Sequence, residues 1–324
     1  MRTAFEPGQH ALTIAVGGYT REYLLHVPPQ SAALITGSAK TRKPCRPQVG
    51  RPSRSSAAAE LVTGALPLVI MLHGGGGNAK LAALTTRWSE KADEIGFFVA
   101  YPEALRPARE RPPTFLRNPQ FWNVGSGLGY AEKHGVDDVA FIRALIDELC
   151  ERLPVDRQRV YATGFSNGAA LTFCLGMRLS DRLAAIAPVS GYPWRQQPRP
   201  EHPVSLIYIS GTADPMNPID GSAIESPWGR LPQRPPVEAF IRQWAEWVGC
   251  SSKRYVLEDK DGVRRMRSGP NEKGVDVEYI TISGAGHAWP GGPALLAERI
   301  AGKPTDKLNA TDVIWDFVRR HPKA

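Results

Sequence analysis

Tyr161-Ala162-Thr163-Gly164-Phe165-Ser166-Asn167-Gly168 is the stretch on which the reading of this chain turns. Arg159 to Thr163 is β-branched and apolar, and Asn167 to Leu179 keeps a helical spacing. Ser166 therefore falls in the turn between a strand and a helix. A turn that sharp forces strained backbone geometry on its central residue, and bulk beside it would clash. Gly164 and Gly168 supply the small positions on either side. A Gly-x-Ser-x-Gly pentapeptide alone is weak; its strand-to-helix setting makes Ser166 the candidate nucleophile over an incidental glycine-flanked turn.

Strands and helices alternate outward from that turn. Upstream, Leu66 to Leu72 (LPLVIML) is a continuous apolar run, as in a strand buried on both faces. It enters His73-Gly74-Gly75-Gly76-Gly77, after which Ala79 to Ile95 reads as one helix and Phe97 to Tyr101 as a short strand. Asp137-Asp138 opens a helix with apolar positions from Val139 to Leu153 on one face, the two acids suiting its N-terminus as cap and dipole partner. Leu12 to Val16 and Thr20 to Val27 form a hairpin across Gly17-Gly18. Downstream, Ala184 to Val189, Val204 to Ser210 and Val277 to Ile282 are strands, and Val237 to Val248 and Ala310 to Arg320 are helices. Such alternation predicts an α/β fold with a mostly parallel central sheet flanked by helices, in one domain. Proline- and arginine-rich stretches at 106–119 and 193–236 are expected as lids or pocket walls, with ordinary surface loops as the alternative.

A serine hydroxyl needs a base to take its proton. Of seven histidines, His287 follows a strand end in a glycine-lined loop, Gly284-Ala285-Gly286, and is the candidate base. The carboxylate that orients it should follow a strand and precede it. Asp214, in Gly211-Thr212-Ala213-Asp214-Pro215, is favoured over Asp220 because its turn keeps it near the strand end. Backbone N–H groups for a developing oxyanion would come from Asn167 and from either Gly75 or Gly76. His73 is read as shaping the glycine loop. A relaxed dinucleotide fingerprint, Gly74-x-Gly76-x-x-Ala79, competes for that loop, but its acid, Glu103, is loosely placed and the Ser166, Asp214 and His287 set would go unexplained.

These motifs resemble the polyhydroxybutyrate-depolymerase-type esterases, which include feruloyl and acetyl xylan esterases. The resemblance is carried by Leu72 to Ala79, Val136 to Phe141, Tyr161 to Gly168, Gly211 to Pro215, Gly286-His287-Ala288-Trp289-Pro290-Gly291-Gly292, and the ending Asn309 to Pro322. It implies an α/β-hydrolase fold, Ser166, Asp214 and His287 as a triad, no metal or organic cofactor, and a small-molecule or oligomeric ester as substrate. Trp289, beside the base, is a candidate pocket residue, with simple packing as the alternative. The expected reaction is serine-dependent ester hydrolysis. A serine peptidase on the same fold and a non-catalytic binding protein remain as rivals.

Composition bounds the rest. The 324 residues carry a net charge of +8, but Lys40, Arg42, Lys43, Arg46, Arg51 and Arg54 lie in an acid-free tract and their removal leaves +2. The excess is a basic loop insertion at about 31–60, not a face for nucleic acid. No apolar run is long enough to span a membrane. Met1 to Gln30 has no signal-peptide pattern, so the chain reads as cytoplasmic as it stands, although the resembled family is often secreted. Cys45, Cys150, Cys174 and Cys250 permit two disulfides without requiring them. Oligomeric state is not legible.

Overall fold

The sheet begins with an antiparallel hairpin, β1 (Gly8–Val16) and β2 (Tyr19–Val27). The computed structural model describes residues 5–31, 64–195, 198–251 and 253–323. The basic tract, apart from Ser31, and Cys45 lie outside them. β3 (Leu66–Leu72), β4 (Phe98–Pro102), β5 (Val155–Phe165), β6 (Ala185–Val189) and β7 (Ser205–Gly211) follow. A small separate pair, β8 (Ile224–Ser226) and β9 (Gly229–Leu231), precedes β10 (Tyr255–Lys260), β11 (Val263–Ser268) and β12 (Val277–Ile282). Ten strands run β1-β2-β4-β3-β5-β6-β7-β12-β11-β10, and neighbours from β4 through β12 are parallel. The expected mostly parallel sheet is therefore what the chain builds.

β3 shows why its run is apolar without a break. Leu66, Leu68, Ile70 and Leu72 face one core, and Val69 and Met71 the other. The period of two in a strand sends alternate side chains to opposite faces, and both faces are covered. The helices are α1 (Ala79–Thr86), α2 (Trp88–Ile95), α3 (Gly129–Lys133), α4 (Asp138–Arg152), α5 (Asn167–Arg178), α6 (Val237–Trp247), α7 (Glu298–Ala301) and α8 (Ala310–Val318). α4, α5 and α6 pack on the first face, α1, α2 and α8 on the second. Each fully buried Leu, Ile or Phe contributes about 1.5–3 kcal/mol, so covering both faces is the main source of stability. None of these helices is long and apolar enough to cross a membrane.

One expectation changes, and three features are added. The helix expected from Ala79 to Ile95 is two, broken at Arg87, whose φ is 55°. Thr85 and Thr86 bond back to the carbonyls of Leu81 and Ala82, and the Thr311 hydroxyl takes the Thr86 carbonyl that a continuing helix would use. Within 193–236, beyond the expected strand that is β7, lies the β8–β9 hairpin. The β10–β11 hairpin is additional. Arg265 and Arg267 interrupt its alternation and are neutralised by the buried carboxylates of Glu278 and Asp276. Finally, Cys150, Cys174 and Cys250 form no disulfide among the described residues.

Candidate active site

All the candidate residues follow the carboxyl ends of parallel strands, the edge at which open α/β sheets gather their sites. β5 delivers Ser166, β3 the glycine loop, β7 Asp214 and β12 His287. Ser166 has φ 55° and ψ −116°, a strained conformation for a residue with a side chain. Its N–H donates to the Val189 carbonyl at 2.9 Å and its carbonyl accepts from Ala170 N–H at 3.0 Å. Glycine is required around it. A Cβ on Gly164 would lie 2.5 Å from the Gly168 oxygen, one on Gly168 2.3 Å from the Leu72 oxygen, and one on Gly191 2.3 Å from the Ser166 oxygen.

Ser166, His287 and Asp214 form one hydrogen-bonded line. Ser166 Oγ is 2.9 Å from His287 Nε2, and His287 Nδ1 is 2.8 Å from Asp214 Oδ2. A carboxylate accepts, so Nδ1 carries the proton and Nε2 is free to accept from the serine. The His287 and Asp214 side chains are almost wholly buried. Asp214 Oδ1 is occupied by the backbone N–H groups of Met216 (2.9 Å) and Asn217 (2.7 Å), which fix the carboxylate. His287 is fixed through its backbone, its N–H donating to the Ala301 carbonyl at 2.5 Å. Asp220, the competitor, is exposed and holds Ser222 of its own loop.

The glycine loop divides the two oxyanion candidates. Gly76 donates its N–H to the Gln120 carbonyl at 2.9 Å and is committed there. Among the described residues Gly75 N–H has no acceptor, and neither has that of Asn167 in the first turn of α5. His73 is structural in its contacts. Its Nε2 accepts from Ala104 N–H at 3.1 Å, so Nδ1 is the protonated nitrogen and donates to the Gly74 carbonyl at 2.8 Å. Burial holds its imidazole down to about 4.

A support invisible in the motifs lies behind this loop. Trp122 donates its indole N–H to the His73 carbonyl at 2.9 Å, and its backbone N–H to Asn167 Oδ1 at 2.7 Å. The next residue, Asn123, donates its N–H to Asp138 Oδ2 at 2.7 Å. Asp138 also forms a buried pair with Arg21 at 2.7 Å, whereas Asp137 does the capping, accepting from Ala140 N–H at 2.9 Å. Of the two acids expected at that helix start, one caps and the other ties β2, through Asn123 and Trp122, to the glycine loop.

A cavity of about 500 Å³ opens onto Ser166 and His287. Leu81, Phe115, Phe165, Trp228, Trp289 and Leu295 are among its walls. Trp289 lines the cavity, and its indole N–H donates to Thr311 Oγ1 at 3.1 Å. Both proline-rich stretches reach the site, through Phe115 and Trp228, whose rings lie 4.5 Å apart. Trp228 carried no sequence signal, since its place depends on a contact with a residue 113 positions away.

Comparison with known proteins agrees with this architecture. The family model described as esterase PHB depolymerase matches residues 56–225, just over half of the chain. A putative esterase, NocK, of Nocardia uniformis subsp. tsuyamanensis is 29% identical over 95% of this chain and 82% of its own length. Feruloyl esterase B of Piromyces equi is 27% identical over 69% of this chain, which spans only 40% of that protein. The solved acetyl xylan esterase from Aspergillus awamori shares the α/β-hydrolase fold, with a TM-score of 0.55 and 13% identity across 87% of this chain and 94% of that one.

Proposed function

The chain belongs to the PHB depolymerase esterase family and is a carboxylic-ester hydrolase, and from that premise we propose that it works as a serine esterase through an acyl-enzyme. The observation that carries this reading is the line from Ser166 Oγ through His287 to Asp214, with contacts of 2.9 and 2.8 Å. Ser166 Oγ attacks the ester carbonyl carbon as His287 Nε2 takes its proton. The tetrahedral oxyanion is held by the N–H groups of Gly75 and Asn167. As it collapses, the bond to the alcohol oxygen breaks and His287 returns the proton to that oxygen. Water then attacks the acyl-serine, His287 taking its proton and passing it to Ser166. Asp214 keeps the imidazole in its productive tautomer and stabilises the imidazolium.

The substrate is a small-molecule or oligomeric ester. Ser166→Ala should lower kcat on p-nitrophenyl acetate by about 10⁶ with an unchanged circular dichroism spectrum. Undiminished hydrolysis by that variant would remove Ser166 from the mechanism.

A further inference from the structure

Two recesses meet at Ser166, and they differ about tenfold in size. The larger, about 500 Å³, has His287 in its wall together with Leu81, Phe165, Trp289 and Leu295. The smaller, about 50 Å³, is bounded by Asn167, Gly191, Tyr192, Trp194 and Leu231, and His287 does not line it. Gly75, Ser166, Met216 and Trp228 line both. Trp228 sits at the turn of the β8–β9 hairpin and acts as the partition. Its indole N–H donates to the Phe115 carbonyl at 2.8 Å, and its rings pack on Phe115 at 4.5 Å and Phe121 at 5.0 Å.

Proton transfer decides which half of an ester enters which recess. The imidazole that takes the serine proton must hand it to the alcohol oxygen as that oxygen leaves. The alcohol therefore lies within reach of His287 Nε2, in the large recess. The acyl chain, with its carbonyl oxygen at the Asn167 and Gly75 N–H groups, takes the recess that Asn167 lines. The small recess leaves room for a much smaller group than the large one. Among the described residues, none of those lining the large recess is Asp, Glu, Lys or Arg, which suits an apolar alcohol better than a sugar or a charged one.

Resting on the serine-esterase reading above, we propose that this enzyme selects esters of short acids with long or bulky apolar alcohols. The reverse arrangement, a large acyl group on a small alcohol, would put the bulky half where there is no room.

Octyl acetate and ethyl octanoate test this directly, because they are constitutional isomers with equally poor alkoxide leaving groups. The kcat/KM of the native enzyme, followed in a pH-stat, should favour octyl acetate by about tenfold or more. Equal rates, or a preference for ethyl octanoate, would overturn the assignment of the recesses while leaving the serine mechanism standing. Hydrolysis of neither isomer by enzyme that still turns over p-nitrophenyl acetate would overturn the recess assignment alone. Leu231→Ala, which enlarges the small recess, should move the ratio toward ethyl octanoate; an unmoved ratio in the folded variant would contradict the acyl assignment.

Discussion

The floor of the site and its roof are built by different rules. The floor is made of strand ends and the turns that leave them, and its geometry is fixed by backbone close to backbone. Gly164, Gly168 and Gly191 each have a main-chain oxygen 2.3–2.5 Å from where a Cβ would stand. The roof is made of Phe115 and Trp228, side chains from two long insertions that meet through one hydrogen bond and an aromatic contact. A floor of this kind tolerates almost no change and specifies the chemistry. A roof of this kind can vary without moving the floor, and under the proposal above it is what selects the substrate.

The contrast is sharpest when the floor is altered without changing its shape. Asp214→Asn should lower kcat by about 10⁴ while the protein melts almost as before, because the amide keeps the Oδ1 contacts to Met216 and Asn217 but favours the wrong imidazole tautomer. A loss below tenfold would place the orienting carboxylate elsewhere. Gly168→Ala tests the steric half of the floor. Its methyl would press on the carbonyls of Leu72 and His73, so stability should fall by about 3 kcal/mol or more in urea unfolding. A variant as stable as the parent would mean that β3 and α5 can separate freely, contrary to this account.

Beneath the floor, buried His73 and partly buried Glu103 respond to pH in opposite senses. Burial holds His73 down at about 4, below its usual value of about 6.5. The unfolded chain therefore takes up that proton first, and this contribution to stability, full above pH 6.5, is withdrawn as pH falls toward 4. Burial raises Glu103 to about 7, so the folded chain keeps its proton and this contribution is lost as pH rises from about 4.5 to 7. The two partly cancel. Glu103→Gln removes the second, and stability should then climb more steeply between pH 5 and 6.5, by about 1–2 kcal/mol. An unchanged slope would show that Glu103 titrates alike in both states.

Changes to the roof should be gentler. Trp228→Ala should shrink the preference for octyl acetate over ethyl octanoate by about tenfold, with a smaller loss of stability than Gly168→Ala. A fall in turnover of every ester alike would make Trp228 part of the chemistry instead of the partition. The smallest effect belongs to Asp220→Asn. Because Asp220 is exposed and, among the described residues, bonded within its own loop, kcat should stay within about twofold.

The same division explains what the sequence could tell. Floor residues announce themselves because steric demand restricts them to a few residue types in contiguous positions, so Gly164 to Gly168 and Gly211 to Asp214 read directly as strand-end turns. The continuous burial of Leu66 to Leu72 was legible for a similar reason, since a strand covered on both faces admits nothing polar. The choice between Gly75 and Gly76 was not. It depends on which N–H is taken by Gln120, more than forty residues downstream. The break at Arg87 likewise depends on Thr311, and Asp138 looked like a helix-dipole acid because its partner, Arg21, is 117 residues away. The β10–β11 turn does carry a signal. Asp261-Gly262, with φ of 54° and 78°, is a two-residue hairpin turn, and the charged flanks of β10 and β11 obscure the strand pattern around it.

The central claim is that Ser166 becomes covalently acylated. Enzyme mixed with p-nitrophenyl acetate, quenched in acid within milliseconds and digested for mass spectrometry, tests it most directly. The account predicts one acetyl group on the peptide carrying Ser166, formed with a burst of p-nitrophenol and absent from Ser166→Ala. Steady hydrolysis with no acetylated serine under these conditions, or an acetyl group on another residue that turns over at the same rate, would contradict it.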